Sequence, residues 1–218
     1  MIPKILHYCW FGGRPLCALS EKCQLSWERH CPDYEVKFWN EDNIDLEHPF
    51  IAHFIKNKQW AFVSDFVRLQ KVHEFGGVYL DTDFEIVRPL DPLLELSCFL
   101  GEERPGRLNS GILGAEAGHP FLQHCLDLMV NRFNAKQPFL IAPEVCTKVF
   151  STHPEKVEVF PPEFFYPFNP YNEIPGNAQL MHLDITENTY AIHHWAKSWR
   201  MPLHQKVRRK LSRLLGAA

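Results

Sequence analysis

The sequence predicts one α/β domain, and two stretches in its first half carry that prediction. An apolar run at Lys4–Trp10, an amphipathic run from about Leu16 to Arg29 and an alternating run at Glu35–Trp39 indicate strand, helix and strand. That order is typical of the beginning of an α/β sheet. Farther on, Gln59–Phe75 is the longest amphipathic run, and two glycines separate it from the apolar residues Val78–Leu80. Glycine favours the end of a helix and these apolar residues favour a strand.

The composition indicates a folded core with a basic C-terminal tail. The chain has 218 residues, of which 45% are hydrophobic, enough for one core without a second regulatory domain. The N-terminus has no signal-like segment, and no stretch approaches the roughly 20 apolar residues of a spanning helix. The seven cysteines form no CxxC pair, which favours reduced thiols over disulfides or a zinc ribbon. We therefore expect a cytoplasmic protein, which can also lie peripherally at the inner face of the plasma membrane.

Trp10 lies at the end of the first predicted strand, beside the turn Phe11–Gly13. Glycines in such a turn allow the backbone to approach a ligand closely. A tryptophan here suits a core position, and it equally suits a ring that stacks on a flat ligand. The residues alone leave both interpretations open.

The predicted helix Gln59–Phe75 has a polar interruption on its apolar flank, formed by Ser64, Asp65 and Arg68. Asp65 and Arg68 are three residues apart and therefore neighbours on one face of a helix. They can form a local salt bridge, worth at most about 1 kcal/mol if exposed. Alternatively, this face lies beside the next strand, where the carboxylate binds hydroxyl groups and the guanidinium binds a phosphate or sugar oxygen.

Two carboxylates, Asp81 and Asp83, follow the strand that begins after Gly77. If this strand continues through Thr82, both side chains lie on one face, roughly 6 to 7 Å apart along the chain. That spacing suits one divalent cation next to a polyhydroxyl ligand. The same residues also suit a plain turn, because aspartate is common at strand ends.

The second half of the chain continues the alternation of strands and helices. We expect strands at Phe84–Val87 and Leu108–Ala115, a helix from His119-Pro120 to about Arg132, and another from Pro143 to about Phe150. The segment from 160 to 175 is rich in proline and aromatic residues and indicates an ordered irregular loop. This loop can form a substrate wall or pack across the sheet edge.

The chain ends in a histidine pair and a basic amphipathic segment. Thr189–Trp195 suggests a last strand, whose alternation sends His193 and His194 to opposite sides, so that only one can face the acidic pair. One histidine with carboxylates suits Mn²⁺, although a lone histidine is commonly structural. Leu203–Leu215 has leucines along one stripe and basic residues opposite, a pattern typical of a helix on an anionic membrane surface or packed on the domain.

Four segments of this sequence resemble the DXD-containing glycosyltransferases of family 32 and, more distantly, the glucosylating domains of clostridial toxins. The segments are PKILHYCWFGG, SDFVRLQKVHEFGGVYLDTDFEIVRPL, NSGILGA and IHHWAKSW. The resemblance implies a GT-A type fold at residues 1–200, with a mostly parallel sheet between helices, followed by a basic tail at 201–218. It also implies a nucleotide-sugar donor, Mn²⁺ or Mg²⁺ as cofactor, and transfer with retention of configuration.

Carried over position by position, the resemblance implies roles for individual residues. As catalytic residues it implies Asp81, Asp83 and Arg68. For the metal it implies Asp83, Asp81 and His193, with His194 as the alternate. For the donor it implies residues along the whole chain: Trp10 on the base, Asp65 on ribose or sugar hydroxyls, Arg68 and Asn109 near the sugar, and Tyr79, Asp81, Ser198 and Trp199 along the nucleotide. Ala142 before Pro143 departs from the Gly-Pro pattern of the family, on the acceptor side.

Three classes of function are compatible with these residues. The first is a metal-dependent transferase that moves a sugar, with uridine as the favoured base, to a glycan or lipid-linked acceptor in bacterial surface polysaccharide synthesis. The second is a metal-dependent hydrolase of glycosidic or phosphate bonds, and the third a non-catalytic module that binds sugar or an anionic membrane. The combination of Trp10, Asp65, Arg68 and the acidic pair favours the first class. The net charge of −3, with only the tail basic, gives no reason to expect nucleic acid as a partner.

Overall fold

The computed structural model describes residues 1–154, 156–171, 179 and 183–196. These residues form eight strands, five α-helices and two short 3₁₀ helices, at Asp91–Glu95 and Pro162–Phe164. The strands are β1 Ile5–Cys9, β2 Glu35–Trp39, β3 Gly77–Leu80, β4 Phe84–Ile86, β5 Cys98–Arg104, β6 Arg107–Ala115, β7 Glu158–Phe160 and β8 Ala191–His193. The helices are α1 Ala18–His30, α2 Pro49–Lys56, α3 Trp60–Phe75, α4 Pro120–Asn134 and α5 Ala142–Phe150.

Six strands form the central sheet in the order β2-β1-β3-β6-β5-β7. β1 pairs in parallel with β2 and β3, and β5 pairs in parallel with β7. β6 runs antiparallel to both of its neighbours, β3 and β5, so the other five strands share one direction. The sheet is therefore mostly parallel, as the sequence predicted. β4 and β8 form a separate antiparallel pair beyond the carboxyl end of β3.

Helices cover both faces of the central sheet. On one face, α2 to α5 bury a core that includes Phe54, Phe66 and Leu122. On the other face, Trp27 of α1 packs in a second core with Phe84 and Phe99. The Trp27 indole N–H donates to the Phe84 carbonyl over 2.7 Å, which anchors β4 against α1. This two-sided covering explains why the strand β3 is apolar throughout.

The structure corrects several expectations. The strand does not continue through Thr82: β3 ends at Leu80, and the Phe84 N–H donates to the Asp81 carbonyl over 3.0 Å, closing a turn. The helix α2 and the strands β5 and β7 were not anticipated, and β7 ends at Phe160, the first residue of the predicted irregular loop. The predicted tail helix Leu203–Leu215 and the boundary at residue 200 lie outside the described residues. Among the described helices, none is both long enough and apolar enough to cross a membrane.

Candidate active site

The turn after β3 and the end of β8 bring together three residues that can bind a metal ion. Asp81, Asp83 and His193 each offer a ligand atom, and these atoms lie within 4.8 Å of one another. The turn is fixed at its start, because the Asp81 N–H donates to the Gly111 carbonyl over 2.7 Å. The two carboxylates therefore converge through a turn and not through the two-residue repeat of a strand.

Asp81 is oriented by two neighbouring side chains. The Tyr79 hydroxyl donates to Asp81 Oδ1 over 2.9 Å, and Arg68 Nη2 lies 3.1 Å from the same oxygen. Arg68 Nη1 donates to Asp81 Oδ2 over 3.3 Å. The Asp81 side chain nevertheless keeps 28% of its surface exposed, against 8% for Arg68. Asp81 is thus held in place with one side open to a ligand.

Arg68 is buried and has partners on every side. Its guanidinium donates to the carbonyls of Ser64 and Ser110 and lies over the Tyr79 ring, 4.6 Å from the ring centre. It also forms a salt bridge with Asp65 over 3.2 Å. A guanidinium with this many fixed partners has little freedom to move. Its clearest role in the structure is to position Asp81, and the contact with a donor sugar stays a prediction.

Asp65 links the helix α3 to the beginning of α5. Its Oδ2 accepts a hydrogen bond from the Ala142 N–H over 2.9 Å, while Oδ1 faces Arg68. Burial raises the pKa of Asp65, and the guanidinium of Arg68 and the Ala142 N–H oppose that shift. Both carboxylate oxygens therefore have protein partners, and the predicted contact with ribose hydroxyls remains untested.

His193 faces the acidic pair and His194 does not. His193 Nε2 lies 3.3 Å from Asp83 Oδ1, whereas His194 Nε2 pairs with Glu85 over 2.8 Å. The His193 ring is stacked on Phe84, with ring centres 4.7 Å apart. His193 is the last residue of β8 and His194 follows the strand, and the two rings bind different carboxylates. The geometry makes His193 the candidate ligand, and its role stays a prediction.

Asp83 is held in its charged form by its surroundings. Burial raises its pKa, but the hydrogen bond with His193 and the hydrogen bond from the Ala196 N–H outweigh that effect, and the pKa is lowered overall. The Ala196 N–H donates to Asp83 Oδ2 over 2.8 Å. A carboxylate that stays ionised is the form that binds a cation.

These residues fit a divalent cation. Two carboxylates and one imidazole make a mixed oxygen and nitrogen donor set, which Mn²⁺ accepts. The ring nitrogen of His193 that faces the acidic pair is Nε2, 3.3 Å from Asp83 Oδ1. The three side chains thus direct oxygen and nitrogen ligand atoms at one point, within 4.8 Å of one another.

The remaining predicted residues are distributed around this edge. The strands β1 and β3 are parallel neighbours with His7 opposite Tyr79, so Trp10 and Asp81 each follow the carboxyl end of a strand at the same edge of the sheet. Trp10 is half-buried, and its ring N–H donates to the Arg14 carbonyl. Asn109 is buried, donates to Glu103 over 2.6 Å and accepts from the Gly111 N–H. Ser198 and Trp199 lie outside the described residues.

Gly111 and Phe84 shape the site although neither was singled out from the sequence. A Cβ on Gly111 would lie 2.9 Å from Asp81 Oδ2 and 2.9 Å from the Phe84 ring. Only a glycine leaves room there for both groups. The available signal was a glycine inside the apolar strand Leu108–Ala115, because such a glycine marks a close approach of another group.

The fold and the site together define an α/β protein with a candidate metal cluster at the carboxyl end of a central strand. A family model described as a glycosyltransferase sugar-binding region containing a DXD motif matches residues 19–100. A second, described as an alpha 1,4-glycosyltransferase conserved region, matches residues 114–215. Both models describe glycosyltransferases, and together they support the resemblance of this chain to the DXD-containing glycosyltransferases.

Curated relatives and solved structures agree with this assignment. The chain is 30% identical over 163 residues to an inositol phosphoceramide mannosyltransferase of Schizosaccharomyces pombe, covering 70% of this chain and 43% of that protein. It is 33% identical over 188 residues to a lactosylceramide 4-alpha-galactosyltransferase of Rattus norvegicus, covering 76% of this chain and 51% of that protein. The chain thus spans about half the length, or less, of these relatives.

Solved glycosyltransferases share the fold. The structure of the PaToxG glycosyltransferase superposes with a TM-score of 0.60 and 19% identity over 70% of each chain. That of the galactosyltransferase LgtC superposes with a TM-score of 0.53 and 15% identity, covering 97% of this chain and 95% of that one. The fold is the GT-A type that the resemblance implied.

The relatives correct the expected location. We expected a cytoplasmic protein, or one at the inner face of the plasma membrane, from the cysteines and the N-terminal residues. That expectation is wrong, because the relatives are named for adding sugars to ceramides, which are membrane lipids, and not for a cytoplasmic substrate. Reduced cysteines report on the redox environment of a thiol and carry no information about a membrane-bound substrate.

Proposed function

We propose that this chain transfers a sugar from a nucleotide-sugar donor to a glycan or lipid-linked acceptor with the help of a divalent cation. The observation that carries the proposal is the convergence of Asp81, Asp83 and His193, whose ligand atoms lie within 4.8 Å of one another at the edge where β3 ends. In open α/β sheets, ligands bind at the carboxyl ends of the strands. The family assignment supports the same reading of this edge.

In this proposal Asp81, Asp83 and His193 would hold the cation. A cation held there would stabilise the negative charge that develops on the leaving diphosphate without requiring a proton. Arg68 and Tyr79 keep the Asp81 carboxylate oriented through the hydrogen bonds that they donate to it. Preorganised ligands of this kind bind without a reorganisation cost.

The nucleotide would extend from the acidic pair towards β1. Trp10 stands at the same sheet edge, and its half-buried ring offers a face on which the base stacks. Uridine is the base that the family resemblance favours. Transfer with retention is best served by an acceptor that enters on the face from which the diphosphate leaves, because no residue qualifies as a nucleophile from the sequence.

The acceptor class is the finer part of the proposal. The family resemblance favours bacterial surface polysaccharide synthesis, in which lipid-linked sugars are acceptors. The relatives are named for galactosyl transfer to lactosylceramide and for mannosyl transfer to inositol phosphoceramide. A polyhydroxylated headgroup attached to a lipid is common to all three, and we propose an acceptor of that kind.

Calorimetric titration with a panel of nucleoside diphosphates, with and without Mn²⁺, tests the donor site. We compare the wild type, Asp83→Asn, and the control Asp127→Ala, which removes one exposed carboxylate on α4. We expect one nucleotide to bind only with Mn²⁺, and this binding to disappear in Asp83→Asn and persist in the control. Asn can still accept the hydrogen bond from Ala196, so the variant tests charge and not local folding.

A second measurement separates transfer from hydrolysis. A matching nucleotide sugar is incubated with the enzyme, with and without glycolipid acceptors, and sugar release is measured. We expect slow release in water and a large acceleration by an acceptor. Equal rates with and without acceptor would favour a hydrolase, and failure of every nucleotide to bind would reject the proposal.

A further inference from the structure

An open cavity of about 680 Å³ lies between the β5–β6 turn and the helix α5. The turn contributes Arg104 and Arg107, and the helix contributes Pro143, Glu144 and Lys148. No role in donor binding was assigned to this cavity. Three of the five side chains named here are basic, although the whole chain has a net charge of −3.

Two chains of contacts connect the cavity to the candidate active site. In the first, Asp65 binds Arg68 with one oxygen and the Ala142 N–H with the other, and Ala142 directly precedes Pro143 in the cavity wall. In the second, Asn109 donates to Glu103 over 2.6 Å, and Glu103 pairs with Arg107 over 2.6 Å. Because β5 runs in the same direction as β3 and β1 lies on the other side of β3, the β5–β6 turn is at the same sheet edge as Asp81, on the side away from Trp10.

The basic groups of the cavity are only partly neutralised. Glu103 pairs with Arg107, and Glu144 accepts from the Ile141 N–H over 3.2 Å. Within the described part of the chain, Arg104 and Lys148 have no ion-pair partner. A concave surface with several cations close together concentrates positive potential and attracts an anion. Phosphate is the anion that such arginine and lysine groups bind best.

We propose that this cavity binds a phosphate group of the acceptor, next to the hydroxyl that receives the sugar. The inference rests on the proposed transferase function and narrows its acceptor to a phosphorylated headgroup. In this arrangement Arg104 and Lys148 bind the phosphate, and the accepting hydroxyl faces the cluster of Asp81, Asp83 and His193. A neutral acceptor headgroup would leave these cations without a ligand.

Binding of soluble headgroups tests this assignment. The probes are myo-inositol 1-phosphate, lactose and inorganic phosphate, titrated into the wild type that is saturated with the matching nucleoside diphosphate and Mn²⁺. The variant Arg104→Ala/Lys148→Ala is compared with Arg29→Ala/Lys56→Ala, which removes the same two charges from exposed positions on α1 and α2. We expect inositol phosphate to bind, and the cavity variant to weaken it on the order of 10- to 100-fold, since charge-assisted hydrogen bonds are lost. Binding in the control pair should be unchanged.

Three results would overturn the inference. Lactose could bind more tightly than inositol phosphate, or inorganic phosphate could bind as tightly as inositol phosphate. The control variant could also lose as much affinity for inositol phosphate as the cavity variant does. Nucleotide binding is measured in the same samples. If the wild type binds no nucleotide, the transferase proposal itself is rejected. If it binds nucleotide but not inositol phosphate, only the phosphate cavity is rejected. Cosedimentation with phosphatidylcholine vesicles, with and without phosphatidylinositol, distinguishes a lipid-linked headgroup from a free one.

Discussion

Replacement of Gly111 by alanine tests the geometry of the site without removing any candidate ligand. Gly111 lies in β6 in an extended conformation, so alanine introduces no backbone strain. Its Cβ would lie 2.9 Å from Asp81 Oδ2 and from the Phe84 ring, and 3.2 Å from Asn109 Oδ1. An ordinary van der Waals separation from the new Cβ requires the Asp81 carboxylate or the Phe84 ring to move by roughly 0.5 Å. A displacement of about that size is the largest that a functional site accepts in the positions of its groups.

Both possible movements disturb the metal cluster. Asp81 is one of its candidate ligands, and the Phe84 ring is stacked on His193, another candidate ligand. Displacing the groups that orient metal ligands typically lowers affinity 10- to 100-fold. We therefore expect Gly111→Ala to weaken Mn²⁺-dependent nucleotide binding by that factor. Overpacking should lower the free energy of unfolding by about 1 to 3 kcal/mol.

Calorimetry measures the binding, and urea denaturation measures the stability. The control is Ser110→Ala on the same strand, because the Ser110 hydroxyl is buried without a hydrogen-bond partner in the described ranges and its removal costs little. We expect this control to bind nucleotide as the wild type does. If Gly111→Ala is folded and binds Mn²⁺ and nucleotide within twofold of the wild type, the geometric reasoning is refuted.

Two further predictions concern buried ionisable side chains. Arg68→Met should lower the free energy of unfolding by about 3 to 5 kcal/mol, because it leaves buried carboxylates unpaired, and Asp65→Asn in the same chain should recover part of this loss in urea denaturation. His7 is buried, and this burial lowers its pKa from 6.5 to about 4. Because the folded state binds the proton less well than the unfolded one, the stability contribution of His7 is present above pH 6.5. It falls by about 3 kcal/mol as the pH drops to about 4.

For each of these two predictions, one experimental result would contradict the reasoning. Strictly additive effects of Arg68→Met and Asp65→Asn in a double-mutant cycle would show that the two residues are not coupled. For His7, the comparison is with His7→Gln, whose side chain does not titrate. If both proteins lose the same stability between pH 6.5 and pH 4, other groups are responsible, and the burial of a neutral His7 has no consequence for folding.

Apolar periodicity, together with glycine and proline at the ends of segments, was sufficient to predict most helices and strands. The strand Glu35–Trp39 was predicted at its observed bounds, and the helix that ends at Phe75 began within one residue of its observed start. These signals are local, because a buried helix face or strand needs apolar residues at its own repeat. The helix α2 and the strands β5 and β7 were missed. Pro49–Lys56 spans only eight residues, and Cys98–Arg104 changes from apolar to charged along its length.

The two aspartates of the candidate site converge for a different structural reason than the sequence predicted. Asp81 and Asp83 were expected to share the face of a strand, and in the structure a turn brings them together. His193 joins them because β8 pairs with β4, which places His193 opposite Phe84, a residue 109 positions earlier in the chain. Strand pairing over such a distance depends on the whole fold, and the local pattern around the histidines decided only that the two point to opposite sides.

The sequence by itself determined the α/β alternation, the family and the set of candidate ligands, because residue type, spacing and local periodicity are properties of neighbouring residues. Tertiary structure decided which histidine faces the carboxylates and which groups bind Asp65 and Arg68. It also explains why position 111 has room only for glycine. It also gathered Arg104 and Lys148 into one cavity. These features arise from contacts between distant segments, and such contacts are set by the packing of strands and helices against one another.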